Sequence, residues 1–282
     1  MWIPTLVNVG HHKGAPHMNG PAAQIAARFG AVEDAQNYTS LLELFADDAV
    51  YFDPFMGAQR GHDQLRAFMS HMEELVPAAG ATFADWRTVG DRNVAWATWI
   101  MVVGPDRLEV PGQSLYRIGD DDKVQFVADY VDSAAYARLR PDGPTPDLSG
   151  AAGISAGMAG SEGAAVDVIR RFWEIQDTAD YTRLTDLFAP DAVFTDQVYG
   201  RFEGRDTIAA YMARMASEMP ERGITFELVD VAGDDTVAWS QWWCVFPNGR
   251  IPGWTLHTVH DGMITLDADY FDVAAARRLS GR

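Results

Sequence analysis

Cysteine is almost absent from this chain. Of 282 residues only Cys244 is a cysteine, so an intrachain disulfide and a cysteine-based metal cluster are both excluded. A single thiol in a chain of this length is typical of a reducing compartment, and we expect a cytoplasmic location.

Basic residues and long apolar runs are also scarce. Lysine and arginine number 22 against 40 aspartates and glutamates, which gives a formal net charge of −18. A nucleic acid or an anionic membrane surface would be repelled by such a chain. No apolar run reaches the roughly 18 residues that a membrane helix needs. We therefore expect neither nucleic acid nor a membrane as partner.

Common cofactor and nucleophile motifs are missing as well. The chain has no phosphate-binding loop, no dinucleotide fingerprint, no HExxH zinc motif and no Gly-x-Ser-x-Gly elbow. We expect chemistry without a cofactor and without a metal.

What the chain does contain is an internal repeat. Residues 44–54 read LFADDAVYFDP, and residues 187–197, which lie 143 positions later, read LFAPDAVFTDQ. Each copy predicts the end of a helix, an acidic turn and a short strand that ends on a carboxylate, Asp53 or Asp196. Further pairs keep nearly the same offset, so two domains of similar fold are expected.

The repeat sets the predicted domain boundaries. Residues 1–20 form an N-terminal extension, 21–140 the first domain and 164–282 the second. Residues 141–163, rich in glycine, alanine, proline and serine, are predicted to be a flexible linker.

Each domain has a helical half followed by a strand half. In the first copy the apolar spacing predicts helices at 22–36, 39–45 and 62–76, a strand at 49–53 and a loop at 57–61. Strands follow at 82–89, 94–103, 108–118 and 124–131, with a closing helical turn at 133–139. This order indicates an α+β fold in which a curved antiparallel sheet wraps around helices and leaves an apolar pocket on its concave side.

The repeated motif, a following Gly-x3-Gly and a late Ala-Asp-Tyr-Phe-Asp strand resemble the NTF2-like superfamily, nearest to the SnoaL-like polyketide cyclases and the ketosteroid isomerases. The resemblance covers residues 22–139 and 164–280. It implies two cone-shaped domains, which would pair through their sheets as an intramolecular pseudo-dimer, with a further homodimer as an open alternative.

The resemblance also implies site residues. Asp53 and Asp196 match the general base of the isomerases, whose oxyanion tyrosine is replaced here by Phe29 and Phe172. The cyclases have a histidine on a middle strand and an aspartate fifteen residues later, which His257 and Asp272 match. Tyr116 and Asp132 stand at these positions in the first copy, and Asp269 or Asp129 matches one aspartate of the limonene-epoxide-hydrolase-like members.

Strand parity limits which of these groups share a pocket. Asp269 and Asp272 point to opposite faces of a regular strand, so at most one of them faces the pocket unless a bulge intervenes. Apolar walls would raise the pKa of an inward carboxylate and strengthen it as a base. The alternative for Asp53 and Asp196 is a turn-capping role, and for His257 a hydrogen-bonded core position.

The candidate catalytic residues are therefore Asp196, His257, Asp53, Asp269 and Asp272. Aromatic residues are the candidates for the wall of a site for a small hydrophobic substrate; they are Trp254, Trp173, Tyr199, Tyr116 and Phe29.

The function that this favours is a cofactor-independent cyclase or isomerase that uses an aspartate base on a polyketide- or terpenoid-like intermediate of a natural-product pathway. The second domain is the better candidate because it holds both Asp196 and His257. Two alternatives stay open: an epoxide hydrolase or epoxide-opening cyclase of the same superfamily, and a non-catalytic module that binds a small ligand or another protein.

Overall fold

The computed structural model describes residues 20–280. The predicted extension at residues 1–20 falls almost entirely outside this range. The described chain divides into two compact units, one ending at Gly160 and one beginning at Ser161, here called the first and second domains.

The first domain begins with helices and ends with a four-strand meander. Its elements are α1 (Pro21–Ala35), a 3₁₀ helix (Tyr38–Leu44), β1 (Phe45–Asp53), β2 (Gly57–Arg60), α2 (Gly61–Ala78), β3 (Ala81–Gly90), β4 (Val94–Val103), β5 (Leu108–Ile118), β6 (Val124–Val131) and α3 (Ser133–Leu139).

The second domain repeats this order. Its elements are α4 (Ala164–Gln176), a 3₁₀ helix (Tyr181–Leu187), β7 (Phe188–Asp196), β8 (Gly200–Glu203), α5 (Arg205–Arg222), β9 (Thr225–Gly233), β10 (Val237–Phe246), β11 (Gly249–His260), β12 (Met263–Phe271) and α6 (Val273–Leu279).

The two six-stranded sheets have the same strand order, β2-β1-β6-β5-β4-β3 and β8-β7-β12-β11-β10-β9. The prediction of two tandem α+β domains is confirmed. The other neighbouring strands pair antiparallel as predicted, and one pairing in each sheet, β1 with β6 and β7 with β12, is parallel. The last strand of each four-strand meander lies beside the first long strand of its domain and runs in the same direction, so this one pairing is parallel.

The predicted loop at 57–61 was wrong. Residues Gly57–Arg60 form β2, which pairs antiparallel with β1. The connection between them is only three residues long and is closed by the side chain of Asp53, which accepts the backbone N–H groups of Phe55 and Met56 at 2.8 Å. A short hairpin therefore forms where turn-forming residues alone had suggested an irregular segment.

The core of each domain lies between the helices and one face of its sheet. In the first domain Phe29 of α1 and Leu65 of α2 pack over Trp99 and Tyr116 of the sheet. In the second, Phe172 of α4 and Ile208 of α5 pack over Trp242 in the same way. Because side chains alternate along a strand, every second residue of these strands faces the helices.

The segment predicted as a flexible linker makes specific contacts with the first domain. The backbone N–H of Asp147 donates to the carbonyl of Pro54 at 2.7 Å. The buried guanidinium of Arg117 donates to the carbonyls of Met158 and Ala159 at 3.1 and 3.2 Å. These bonds assign residues 141–160 to the first domain.

Candidate active site

The helix-facing side of the second sheet encloses a cavity of about 420 Å³. Its wall is mostly aromatic and aliphatic, with Met212, Met215 and Met219 along one side of α5. Two carboxylates interrupt this apolar wall, Asp196 at the end of β7 and Asp269 on β12. An apolar cavity with a few convergent polar groups is the usual form of a small-molecule site.

Asp196 is held by three donors. Its Oδ1 accepts the backbone N–H groups of Val198 and Tyr199 at 2.6 and 2.8 Å. Its Oδ2 accepts the hydroxyl of Tyr211, which reaches across from α5, at 3.2 Å. Burial raises the pKa of Asp196, and these three bonds act in the opposite direction by stabilising its ionised form.

Asp269 has a single donor. The indole N–H of Trp242 donates to the hydroxyl of Thr255 at 2.8 Å, and that hydroxyl donates to Asp269 Oδ1 at 2.6 Å. Gly253 makes this chain possible, since a Cβ there would overlap the Trp242 ring where it lies against the sheet. The other carboxylate oxygen of Asp269 has no hydrogen-bond partner among residues 20–280.

The two carboxylates differ in electrostatics. Burial raises the pKa of Asp269 well above its ordinary value, and the negative charges of Asp267 and Asp196 raise it further. Neighbouring carboxylates in an apolar site do not both ionise easily, so the group with fewer donors keeps its proton. The arrangement therefore places two carboxylates of unequal acidity in one cavity, and Asp269 is the one that holds its proton more strongly.

His257 lies deeper, outside the cavity wall. Its Nδ1 contacts Asp267 Oδ2 at 3.1 Å and its Nε2 contacts Ser240 Oγ at 3.0 Å, and all three side chains are buried. Both ring nitrogens are thus used within the sheet. The structure places His257 in the hydrogen-bonded core position that was the alternative to a pocket role, next to the site rather than in it.

Asp272 does not join His257. It caps α6, where its Oδ1 accepts the N–H of Ala275 at 2.8 Å. Asp132 caps α3 in the same way through Ala135. The cross-strand partner of His257 is Asp267, so the fifteen-residue spacing joins two positions that lie far apart along the sheet. Of the pair Asp269 and Asp272, Asp269 is the one in the cavity.

The aromatic candidates of the second domain separate in the structure. Trp173 and Tyr199 line the cavity. Trp254 follows Gly253 on β11 and points to the opposite face from Thr255, where its ring stacks on Tyr270.

The first domain holds a related but different carboxylate cluster. Burial raises the pKa of Asp53, and it raises the pKa of Asp129 to about 7. Asp129 accepts hydrogen bonds from the hydroxyls of Ser114 and Tyr51 at 2.6 and 2.5 Å. Glu33 of α1 accepts the hydroxyl of Tyr38, and its burial raises its pKa to about 8.

Phe29 and Tyr116, the other two candidates of the first domain, pack edge-on against each other in its core at 5.2 Å between ring centroids. Both are almost fully buried.

Several residues of this arrangement were not among the sequence candidates. Thr255, Tyr211 and Asp267 each shape one of the two carboxylates. Thr255 and Asp267 could have been found by parity, since they lie two residues from His257 and Asp269 and so share their face. The reach of Tyr211 from α5 carries no signal in the sequence.

Within residues 20–280, no group of three or more histidine, cysteine, aspartate or glutamate side chains is placed to hold a metal ion. In the same range, no helix has the length and apolar character that crossing a membrane requires.

Comparison with known proteins agrees with the fold. The model of the SnoaL-like domain matches residues 26–127 and 169–266. Curated protein sequences give no significant match.

Three similar solved structures each span about one domain of this chain. An NTF2-like protein of unknown function from Mesorhizobium loti is 23% identical, with a TM-score of 0.34, and the match covers 38% of this chain and 90% of that one. A protein with a ketosteroid isomerase-like fold from Catenulispora acidiphila, solved with trimethylamine, is 18% identical, with a TM-score of 0.35 and coverage of 41% and 92%. A protein provisionally named a polyketide cyclase, from Xanthomonas campestris, is 20% identical, with a TM-score of 0.34 and coverage of 42% and 96%.

Proposed function

Because the chain belongs to the SnoaL-like family, with one family domain in each half, we propose that it is a cofactor-independent isomerase or cyclase whose active site is the cavity of the second domain. Its substrate is a hydrophobic, polyketide- or terpenoid-like carbonyl compound. The observation that carries this proposal is the pair of unequal carboxylates, Asp196 and Asp269, in one apolar cavity.

Asp196 is the base in this proposal. Its carboxylate takes a proton from a carbon next to a carbonyl group, and the electrons of the broken C–H bond form an enolate. Protonated Asp269 donates a hydrogen bond to the enolate oxygen as negative charge develops there. In an isomerisation Asp196 then returns the proton to another carbon. In a cyclisation the enolate carbon attacks a second carbonyl of the same molecule, and the alkoxide oxygen that forms takes the proton from Asp196.

Asp269 fits the donor role better than His257 does. Asp269 faces the cavity with one oxygen that no residue of the described chain occupies. His257 is buried and contacts Asp267 and Ser240 with its two nitrogens. In the first domain Asp53 is the corresponding base candidate. Its activity, the pairing of the two domains and further dimerisation all stay predictions.

A proton-transfer probe tests the proposal without knowledge of the substrate. Elimination of 5-nitrobenzisoxazole needs a base in an apolar cavity, is assisted by a hydrogen-bond donor to the developing phenolate oxygen, and releases a coloured phenolate. We expect the wild-type chain to catalyse it and Asp196→Asn to lower the rate by about 10²-fold, the lower range for a positioned general base. Asp53→Asn, the matched change in the first domain, should leave most of the rate. Equal rates for wild type and Asp196→Asn would contradict the proposal and favour a binding module.

Epoxide opening is the second candidate, favoured by the same protonated Asp269. Asp269 would give its proton to the epoxide oxygen as the C–O bond breaks, while Asp196 takes a proton from an attacking water or substrate hydroxyl. Styrene oxide distinguishes the two functions: diol formation that is lost in both Asp196→Asn and Asp269→Asn would favour epoxide opening. Elimination without diol formation would favour the isomerase or cyclase.

A further inference from the structure

Three polar groups in the wall of the second cavity have no hydrogen-bond partner within the described residues 20–280. They belong to Trp173 and Gln176 of α4 and to Tyr181, the first residue of the 3₁₀ helix that follows. Trp173 and Gln176 are three residues apart and so lie on one face of α4. The indole N–H of Trp173 has no acceptor, and among residues 20–280 neither the Gln176 amide nor the Tyr181 hydroxyl forms a hydrogen bond.

The Trp173 donor is the most informative of the three. Its side chain is only 3% exposed, and a buried N–H without an acceptor is destabilising, because the group has lost water and gained nothing in exchange. Such a group gains its missing acceptor when a ligand or a water molecule binds beside it. Trp173 lines the cavity, so the acceptor can come from a molecule bound there.

The first domain pairs two of the corresponding polar groups, although the buried indole N–H of Trp86, whose ring lies beside Gly30, also has no acceptor among residues 20–280. By the repeat offset, Trp173, Gln176 and Tyr181 correspond to Gly30, Glu33 and Tyr38. There Tyr38 donates its hydroxyl to Glu33, so these two groups satisfy each other. The replacement of glutamate by Gln176 releases both groups in the second domain.

The space beside Gly30 in the first domain and Trp173 in the second is also filled differently. In the first domain the ring of Trp86 fills it, so that a Cβ on Gly30 would overlap the indole. In the second domain the indole comes from α4 itself, and Val229 stands at the position of Trp86. The polar groups and the aromatic ring therefore differ together between the two domains.

We propose that Trp173, Gln176 and Tyr181 form a polar subsite that binds an oxygen of the substrate at a position separate from the Asp196–Asp269 pair. An indole N–H can only donate, so the bound group is an acceptor such as a ketone or quinone carbonyl. The aromatic and methionine walls favour a planar, unsaturated or aromatic ring system. The substrate class is thus a flat ring compound with two oxygen functions, one enolised at the carboxylates and one held at this subsite.

This inference rests on the proposed function for the meaning of the first oxygen, but it is tested by binding alone. The probe is prodan, a fluorescent naphthalene with one ketone whose emission shifts to the red when the ketone accepts a hydrogen bond. Dimethylaminonaphthalene, which lacks the ketone, is the control ligand. Both are titrated against the full chain.

Two variants carry the test. Tyr181→Phe removes one hydroxyl and should weaken prodan binding about two- to tenfold, the range for one net hydrogen bond. Gln176→Glu should weaken it at least as much, since the tyrosine hydroxyl would then pair with the carboxylate as Tyr38 does with Glu33. Dimethylaminonaphthalene should bind both variants as it binds wild type, and Tyr38→Phe in the first domain should affect neither probe.

The proposal is overturned if the wild-type chain does not bind prodan, or if both variants bind prodan with unchanged affinity and emission. It is also overturned if both variants lose affinity for prodan and dimethylaminonaphthalene equally, because that result would show a loss of packing only. The elimination assay separates the two proposals. Retained elimination in Asp196→Asn with the expected prodan pattern would refute the proposed function and leave the subsite standing. Lost elimination with unchanged prodan binding would do the reverse.

Discussion

A single tyrosine hydroxyl is placed differently in the carboxylate pairs of the two domains. In the second domain Tyr211 donates to Asp196, while Phe194 stands where the first domain has Tyr51. In the first domain Tyr51 donates to Asp129 instead, and Phe68 stands at the position of Tyr211. The hydroxyl has moved from one carboxylate to the other, so Asp53 and Asp129 have two donors each, whereas Asp196 has three and Asp269 one among the described residues.

The protonation of Asp269 gives a prediction for the pH dependence of the elimination rate. The rate should rise as Asp196 loses its proton and fall at higher pH as Asp269 loses the proton that it donates. In Asp269→Asn the amide still donates but does not titrate, so the fall at high pH should disappear. Because the two acids interact, the rise and the fall of the rate with pH report apparent pKa values of the pair rather than of either residue alone.

The measurement is the elimination rate of wild type and Asp269→Asn over the stable pH range. Asp129→Asn, the matched change in the first domain, should keep the wild-type profile. A fall at high pH that persists in Asp269→Asn would assign that arm to another group and remove Asp269 from the proposed mechanism.

At the scale of the element, β10, β11 and β12 hold a buried polar network under the cavity. His257 bridges Asp267 on β12 and Ser240 on β10. The first domain has Tyr116, Val127 and Ala97 at these positions. The three residues have changed together, as expected of groups that satisfy one another where no water reaches.

The network predicts strong coupling in stability. His257→Phe removes the buried hydrogen-bond partner of Asp267 and should lower the unfolding free energy of the second domain by about 1–3 kcal/mol, the cost of a buried polar group left unsatisfied. The triple change His257→Tyr, Asp267→Val and Ser240→Ala, which installs the residues of the first domain, should cost clearly less than the sum of the single changes.

Urea unfolding of each variant measures this coupling. Thr258→Val, a change on the opposite face of β11, serves as the control for altering that strand. Additive effects of the three substitutions would show that the contacts seen in the sheet are not energetically linked.

At the scale of the whole molecule, the two domains differ in their buried acid. The first carries Glu33, Asp53 and Asp129 within its core, and Glu33 has pKa raised to about 8 and Asp129 to about 7, in both cases mainly by burial. The second has the neutral Gln176 in place of Glu33. The stability of the first domain should therefore respond to pH near neutrality.

The direction follows from proton binding. The folded pKa of Glu33 lies above its ordinary value of 4.5, so the folded state holds a proton that the unfolded state has released between about pH 4.5 and 8. Stability is full below this window and is lost as pH rises through it, by on the order of 1.4 kcal/mol per unit of pKa difference. The first domain should thus unfold more easily at about pH 8 than at about pH 6.

Glu33→Gln tests this directly, because the second domain already carries glutamine at that position. The variant should lose much of the pH dependence of urea unfolding, and the part due to Asp129 should remain. Unchanged dependence in the variant would mean that Glu33 is ionised in the fold. The matched change Gln176→Glu should introduce a similar dependence in the second domain.

The sequence by itself determined the duplication, the α+β class and most helix and strand bounds, because these depend on local apolar spacing and on residues that recur at a fixed offset. Asp196 was a candidate because it ends an apolar strand, and Asp269 because of the family resemblance. Asp272 lies beyond β12 as the cap of α6, so strand parity does not apply to it. The sequence did not predict the parallel pairing of β1 with β6, because the relative direction of these two strands depends on where the last strand of the meander lies in the folded sheet.

Only the tertiary structure decided which groups meet. Tyr211 reaches Asp196 from a helix, Thr255 links Trp242 to Asp269 across strands, and the partner of His257 is Asp267 rather than Asp272. These contacts are set by strand register and helix packing, where a shift of one residue reverses the face on which a side chain lies. Which carboxylate keeps its proton depends on these few contacts, and for that reason the chemistry of the cavity could be read only once the chain was folded.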